Sequence, residues 1–417
     1  MTSISPLHAK HIHFVGLKGV GMTALALCAK DLSVRVTGSD LEEVFVTDET
    51  LKKHGILWVT GFHPVNIEAD VDLVITTGAH GGLNNPEVIA ARDKGIPVLT
   101  HAEALGEFTR GKDLITVAGV GGKTTTASMV STLLSVAGRH PSFAVGVGDI
   151  KVLGTPGRYD KEGREFVTEV NRVPKDGLLI ACIDNANVRK LTKQTHVPVR
   201  TYGFSEGADY RIEKLEVGGG KLDFEVGSGR YTLKVPGRFN VLNATAAIVA
   251  GEFLGVTKPD LVKGIEAYAG CKRRIEKVGE VNGIAVWDDY AHHPTEIQAV
   301  LTALRDWYPG RRLVAVFQPH TYSRTKVLFE DFARSFEKTD KVIIMDIYAS
   351  ARETDTLSVD SEKLAAEVSK HHQNVVYTGT QEKTIKHLVS NAHNGDVIVT
   401  LGAGDIFHMH YKLLKRL

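Results

Sequence analysis

Residues 114–126 read Leu-Ile-Thr-Val-Ala-Gly-Val-Gly-Gly-Lys-Thr-Thr-Thr. Leu114 to Val117 are strand formers and run into a glycine-rich turn. After Lys123 the apolar residues Ala127, Val130, Leu133 and Leu134 recur at helical spacing. Strand, glycine turn, Gly-Lys-Thr and helix together form the layout of a phosphate-binding loop. Gly119, Gly121 and Gly122 let backbone N–H groups approach phosphate oxygens and permit positive φ. The helix N-terminus adds unpaired donors and a positive dipole end. Lys123 brings a cation for terminal phosphates and Thr124 a hydroxyl for magnesium. The spacing is Gly-x-x-Gly-Lys-Thr, shorter than the common motif, which has glycine where Val117 stands. The competing reading is a glycine-rich turn that binds nothing, and Lys-Thr in register between strand and helix argues against it.

On the N-terminal side the same grammar appears earlier. Ile12 to Val15 reads as a strand, Gly16-Leu-Lys-Gly19-Val-Gly21-Met22 as a turn, Met22 to Lys30 as a helix, and Val34 to Thr37 as a second strand ending at Gly38-Ser39-Asp40. This βαβ unit lacks the strict dinucleotide fingerprint, so a nicotinamide ligand is weakly supported. The glycine turn and helix N-terminus still suit a diphosphate, and Asp40 stands where a ribose or base would lie. A plain turn with a capping Asp is the alternative. Further strands at Asp72 to Thr77 and near Val98 frame a helix opened by Asn85-Pro86-Glu87, which implies a parallel sheet with helices on its faces. His80 and His101 lie near strand ends.

Beyond the loop helix, Glu165 to Val170 reads as a strand carrying Glu169, a carboxylate placed to hold magnesium near a phosphate loop. Asn171-Arg-Val-Pro-Lys-Asp-Gly177 is a short polar break before the next strand, Leu178 to Ile183. Parallel neighbours need a crossover of about a dozen residues, so either the two strands are not neighbours or a segment is absent. Residues 210 to 235 alternate apolar and polar with glycine turns, an antiparallel meander. Pro236 to Leu254 is helical and carries Asn240 and Asn243, candidates for a base edge, with capping the alternative for Asn240. Arg273 and Arg274 follow a glycine turn and suit a transferring phosphate.

The last third repeats the strand–loop–helix pattern. One strand ends in Asp288-Asp289-Tyr290-Ala-His292-His293-Pro-Thr-Glu296, another in Gln318-Pro-His320-Thr-Tyr-Ser-Arg324-Thr, and a third in Gly402-Ala-Gly404-Asp405-Ile406. Ligands in open α/β sheets bind at such strand ends. Zinc at the Asp-His cluster is disfavoured, because adjacent histidines do not easily share a metal.

The totals are those of a globular protein: 417 residues, 43% apolar and 24% charged. With 50 basic and 49 acidic residues, nothing favours nucleic acid or an acidic membrane. Cys28, Cys182 and Cys271 are widely spaced and fit a reducing compartment. The first residues lack a charged-then-apolar leader and no run is long enough for membrane insertion, so a cytoplasmic location is expected.

Taken together, His13 to Met22, Gly38-Ser-Asp40, Gly119 to Thr126, Pro236 to Ala247, Arg273-Arg274, Asp288 to Glu296, Phe317 to Thr325 and Gly402 to Ile406 resemble the Mur ligase family. The resemblance implies an α/β chain of three domains, each on a mainly parallel sheet. These are a Rossmann-like UDP-sugar domain at 1–108, a central P-loop ATPase-like domain at 109–278, and a Rossmann-like amino-acid domain at 279–417. It implies ATP and Mg²⁺ as cofactors and the ligation of L-alanine to the lactyl carboxylate of UDP-N-acetylmuramate through an acyl phosphate, in peptidoglycan precursor synthesis. The protein would be a monomer or weak homodimer. By position, Gly119, Val120, Gly121, Gly122, Lys123, Thr124, Thr125, Asn243, Arg274, Asp289 and Tyr290 would bind ATP. Thr124 and Glu169 would hold the metal. Gly16, Gly19, Gly21, Met22, Ser39 and Asp40 would take the UDP-sugar, and Tyr290, His292, His320 and Arg324 the amino acid. Lys123, Glu169, His292 and Arg324 would carry the chemistry. A related muropeptide-recycling ligase and a nucleotide-binding homologue without ligase activity are the alternatives.

Three departures from the family pattern stand out. Val120 and Gly121 replace Thr and His in the phosphate loop, which keeps the backbone donors. Phe239 stands where His is common in the adenine segment, suggesting stacking. After Glu169, roughly forty residues of the family pattern have no counterpart, including a strand and a His that helps hold a second magnesium. Losing an internal strand and its helix is expected to expose core on both sides of a parallel sheet.

Overall fold

The computed structural model describes residues 5–169, 177–349, 353 and 355–417. The part of the polar break from Asn171 to Asp176 lies outside the described residues. The chain divides into two compact units: Met1–Leu215, Asp223–Leu233 and Leu242–Lys272 form the first, and Glu216–Leu222, Lys234–Val241 and Arg273–Leu417 the second.

Strands β1 (His11–Val15), β2 (Arg35–Asp40), β3 (Val59–Thr60), β4 (Leu73–Thr76) and β5 (Val98–Thr100) form a parallel sheet in the order β3-β2-β1-β4-β5. The order reverses at β1, so the turn Gly16–Gly19 leaves the sheet at its switch point, where such sheets bind ligands. β2 runs through Gly38-Ser39-Asp40 rather than stopping before it.

A second sheet contains β6 (Asp113–Thr116), β7 (Ser142–Ala144), β8 (Gly157–Arg158) and β9 (Glu165–Thr168) in the order β6-β9-β7-β8. β6, β9 and β7 are parallel, and β8 is antiparallel to β7. Helix Val20–Asp31 of the first sheet lies across β7 and β8. A Cβ on Gly157 would sit 2.1 Å from the Ala24 carbonyl oxygen, so only glycine admits this approach. Phe14, Leu25, Phe108, Ala144 and Phe166 share one buried cluster, so the two sheets lose apolar surface to water together.

The third sheet of this region holds β10 (Leu179–Cys182), β11 (Val199–Gly203), β12 (Tyr210–Gly218), β13 (Lys221–Val226) and β14 (Gly229–Leu233), in chain order. β10, β11 and β12 are parallel. The last three strands are joined by the two-residue turns Gly219-Gly220 and Gly227-Ser228, connections that only antiparallel neighbours allow. The apparent difficulty between Glu165 and Ile183 therefore eases: β9 and β10 belong to different sheets and are not parallel neighbours. β6 and β10 are both outermost strands. Leu114, Ile115, Leu179 and Ile180 are half-buried, as expected for strands of a parallel sheet that lack a covering neighbour.

In the second unit, β15 (Glu276–Val281), β16 (Ile284–Asp289), β17 (Leu313–Phe317), β18 (Lys341–Met345), β19 (Val375–Gly379) and β20 (Val397–Leu401) take the order β15-β16-β20-β17-β18-β19. β15 is an antiparallel edge, and the rest are parallel. Helices Pro294–Trp307 and Ser361–Val368 bury one face through Ile297, Leu301, Leu304 and Leu364. Helices Gln381–Asn391 and Met409–Arg416 bury the other through Ile385, Leu388, Met409 and Leu413. The polar loops after β16, β17 and β20 emerge at the strands' C-terminal ends.

Candidate functional site

The phosphate loop leaves β6 and enters helix Lys123–Val136 at Gly122, whose φ of 77° is left-handed. A Cβ there would lie 2.5 Å from Asn243 Oδ1, and Asn243 in turn accepts from Thr126 Oγ1 at 3.2 Å. Asn243 is thus tied to the loop from a helix more than a hundred residues on. Gly119 has φ 149° and also favours glycine. Lys123 Nζ donates to the Gly119 carbonyl at 2.8 Å, curled over its own loop. Thr124 is buried at the helix start, Thr125 is half-buried, and Val120 is fully exposed at the loop tip. Thr116 pairs with Thr168, and Val117 N–H donates to the Thr168 carbonyl at 2.9 Å. That register sets Glu169 beside the start of the loop. Its Oε1 accepts from Gly146 N–H at 3.3 Å. Bare glycine amides, a helix N-terminus, a buried threonine hydroxyl and an adjacent carboxylate are a donor set that fits a nucleotide with magnesium.

At the first glycine turn, a Cβ on Gly16 would strike Thr77 Cγ2 at 2.5 Å and one on Gly21 would strike His101 Nε2 at 2.7 Å. Both glycines allow neighbouring strand ends to close on the turn. Burial lowers the His101 pKa and favours the neutral ring. Met22 is a core residue and Gly19 precedes helix Val20–Asp31. Ser39 and Asp40, both assigned to the UDP-sugar by position, are buried. Ser39 Oγ donates to Glu87 Oε2. Asp40 is buried, and its two carboxylate oxygens accept from Lys18 N–H and Leu41 N–H, each at 2.7 Å. Glu87 is fully buried. Burial pushes its pKa up, but hydrogen bonds from His13, Ser39 and Asn66 outweigh this and hold it below the usual range. Lys18 is also buried. Its Nζ donates to the Leu41 and Glu43 carbonyls, lies 3.7 Å from Asp48, and faces the rings of Phe45 and Trp58. Sequence reasoning missed Lys18 and Glu87, because a charge inside a glycine turn and a charge in a helix's first turn both read as solvated.

The second unit gathers its own cluster. Arg274 lies over the Tyr290 ring at 5.2 Å. Tyr290 meets His292 edge-on at 5.4 Å, and His292 meets His320 at 6.5 Å. His320 stacks on Tyr348 at 5.7 Å, and Arg324 Nη1 lies 3.0 Å from His320 Nδ1. His292 Nδ1 sits 3.0 Å from the Tyr290 carbonyl, which selects the Nδ1–H tautomer. Burial, then Arg324 and His292, lowers the His320 pKa to about 4. His292 is lowered too, first by burial. Neutral imidazoles beside two guanidiniums suit the recognition of a carboxylate.

Three expectations about this unit change. Arg273 and Arg274 do not act as a pair. Arg273 is buried, with Nε 3.1 Å from Asp288 Oδ2, Nη1 3.0 Å from the Gly404 carbonyl and Nη2 on the Gly402 carbonyl. It ties the ends of β16 and β20 together, and only Arg274 is left for a ligand. Asp289 is also spent on the scaffold: its carboxylate accepts from Ile275 N–H at 2.6 Å and Ala291 N–H at 2.7 Å. Burial raises its pKa to about 6 despite Arg274 and those bonds. Among the described residues, Asp288, Asp289, His292 and His293 do not converge as a metal site. Phe239 packs against the core of this unit rather than standing free to stack. Asn240 Nδ2 donates to the Pro236 carbonyl at 2.7 Å, the capping alternative.

Three family models match along the chain: the Mur ligase family catalytic domain over residues 11–113, the Mur ligase middle domain over 152–251, and the Mur ligase glutamate ligase domain over 273–404. The chain is 36% identical over 456 residues to the UDP-N-acetylmuramate--L-alanine ligase of Desulfosudis oleivorans, covering 98% of this chain and 99% of that one. It is 36% identical over 464 residues to the enzyme of that name from Acetivibrio thermocellus, covering 100% and 98%. Both alignments are longer than the 417-residue chain, so both relatives carry segments that it lacks. Among solved structures, UDP-N-acetylmuramate-alanine ligase from Thermotoga maritima superposes with a TM-score of 0.80 at 24% identity over 97% of this chain and 98% of that one. A murein peptide ligase from Psychrobacter arcticus gives 0.68 at 23% identity over 98% of each; at such identities both likenesses speak for the fold. Matching models over three successive stretches and full-length relatives above the identity at which families diverge lead to one conclusion: the chain belongs to the Mur ligase family.

Proposed function

We propose that the protein joins L-alanine to the lactyl carboxylate of UDP-N-acetylmuramate at the cost of ATP, in the cytoplasmic synthesis of peptidoglycan precursors. The observation that carries this reading is the phosphate loop braced by Asn243, in a chain whose full-length relatives bear that enzyme's name. The γ-phosphoryl group passes to a carboxylate oxygen, giving an acyl phosphate and ADP. The alanine amine then attacks the carbonyl carbon, phosphate leaves, and the nitrogen sheds a proton as the amide forms. Such transfers need positioning and charge neutralisation more than covalent help from the protein.

Backbone amides of Gly119 to Thr125 hold the phosphates, and Lys123 leaves the Gly119 carbonyl to meet them. Thr124 and Glu169 would hold Mg²⁺, which when bound would supply charge neutralisation at the transferring group. Asn243 meets the adenine. Gly16, Gly19 and Gly21 expose the amides for the uridine diphosphate, with Ser39 and Asp40 holding the turn beneath. In the second unit Arg274 serves phosphate and Tyr290 the nucleotide, while Asp289 positions both loops. His292, His320 and Arg324 receive the amino acid. We extend the division at 1–108, 109–278 and 279–417 to these roles, in line with the three stretches matched by the family models.

A second reading follows from the half-exposed strand β6 that carries the loop: a homologue that binds nucleotide without ligating. ADP release measured with UDP-N-acetylmuramate, a panel of amino acids and the recycling tripeptide separates the cases. Release that requires the sugar nucleotide and prefers L-alanine supports the proposal. Preference for tripeptide selects the recycling ligase, and release without either acceptor, or none, selects the second reading.

A further inference from the structure

The N-terminal ends of the second unit's parallel strands carry a pocket that the ligase chemistry does not use. Val314 of β17 pairs with Lys341 of β18, and Leu313 of β17 with Val397 of β20, so these residues lie at the opposite strand ends from Gln318, His320 and Gly402. Arg312, Lys341, His387, Asn391 and Asp396 line the pocket with the apolar side chains of Val314, Ile343 and Ile398. Its volume is about 10 Å³, room for roughly one water-sized particle.

Its charges do not cancel. Arg312 Nη1 is 3.2 Å from Asp396 Oδ2 and 3.1 Å from the Asn391 carbonyl. The same Oδ2 also accepts from His393 N–H at 2.9 Å. That pairing leaves Lys341, only 7% exposed, with no hydrogen bond or ion pair to any described residue. Nε2 of His387 is buried and likewise meets no partner among the described residues. Burial and then Arg312 lower the Lys341 pKa, and burial, Lys341 and Arg312 lower that of His387. Burial of most of the Lys341 side chain without a counter-charge among the described residues is unfavourable, and water supplies a dipole but no charge.

We propose that this pocket binds one weakly hydrated monovalent anion of halide class, held by the Lys341 ammonium and the His387 Nε2–H against an apolar wall. The net charge of the lining groups is one positive unit once Arg312 and Asp396 pair, which one monovalent anion neutralises. Room for roughly one water-sized particle favours a monatomic anion over phosphate or a carboxylate. A bound anion stabilises the folded second unit by mass action, so chloride acts as a structural effector of the whole chain.

Two measurements on the full chain test this. Thermal unfolding is compared in sodium chloride and in sodium gluconate at equal ionic strength, for the parent and for Lys341→Met. The parent is expected to melt several degrees higher in chloride. Lys341→Met, which keeps the unbranched apolar stem and removes the ammonium, is expected to melt alike in the two salts. Diffraction from crystals grown in bromide, read at the bromine edge, is expected to show an anomalous peak in contact with Lys341 Nζ and His387 Nε2. Equal melting of the parent in both salts, a chloride response that survives in Lys341→Met, or a pocket without a bromide peak would overturn the proposal. If Lys341→Met fails to fold, the bromide map of the parent decides.

Discussion

Gly122→Ala probes the phosphate loop where its geometry is most constrained. The residue has φ 77°, and the new Cβ would lie 2.5 Å from Asn243 Oδ1. Left-handed backbone costs an alanine about 1–2 kcal/mol. Relieving the contact moves Asn243 away from Thr126, which forfeits a hydrogen bond of about 1 kcal/mol. The total is roughly 2–3 kcal/mol, or about 4–12 °C in Tm for a unit of this size. Because Asn243 and the loop amides shift together, MgATP affinity is expected to fall at least tenfold in a calorimetric titration. Gly121→Ala is the matched control: nothing lies within 4 Å of its added Cβ. It should melt with the parent yet bind nucleotide less well, since the methyl group projects where phosphate oxygens approach the amides. A Gly122→Ala protein that melts and binds ATP like the parent would refute the loop geometry, and with it the role of Asn243.

Other substitutions separate scaffold from ligand contact. Arg273→Met strands the buried Asp288 carboxylate and should cost about 3–5 kcal/mol in denaturant unfolding, whereas Arg274→Ala should leave the midpoint nearly unchanged and lower kcat. Asp289 has a folded pKa of about 6, above its value in an unfolded chain. From about pH 4 to 6 the unfolded chain has released a proton that the folded one keeps, so stability falls as pH rises through that window, by roughly 3 kcal/mol in all. Asp289→Asn should flatten that slope in pH-dependent unfolding. His320 has the reverse sign: its folded pKa of about 4 lies below the unfolded value, so its contribution is present above about pH 6.5 and is lost as pH falls towards 4. Its ring resonances should show the neutral form throughout the neutral range.

Local signals made much of this legible in the sequence. The strand–glycine–Lys-Thr–helix run gave the phosphate loop because each part is contiguous, and the loops after β16, β17 and β20 were readable because polar clusters interrupt apolar strands. The cluster of Arg274, Tyr290, His292, His320 and Arg324 joins three motifs that each stood out alone. What escaped depends on distant partners. Arg273 and Arg274 are equivalent in sequence and differ only because β16 and β20 meet around the first of them. Ser39 and Asp40 look like ligand contacts until Glu87 and the Lys18 amide take their oxygens. The short break after Glu169 was visible as a conflict with crossover length. Its resolution, two sheets with β6 and β10 as outer strands, needed the strand pairing itself.

The central claim is that a carboxylate is activated by the phosphoryl group held at residues 119–125. It is tested most directly with UDP-N-acetylmuramate labelled with ¹⁸O in its lactyl carboxylate, turned over with ATP and L-alanine. The account predicts an alanyl amide product and one labelled oxygen in the released phosphate, with both lost in Lys123→Ala. Unlabelled phosphate, or an amide still formed by Lys123→Ala, would contradict it.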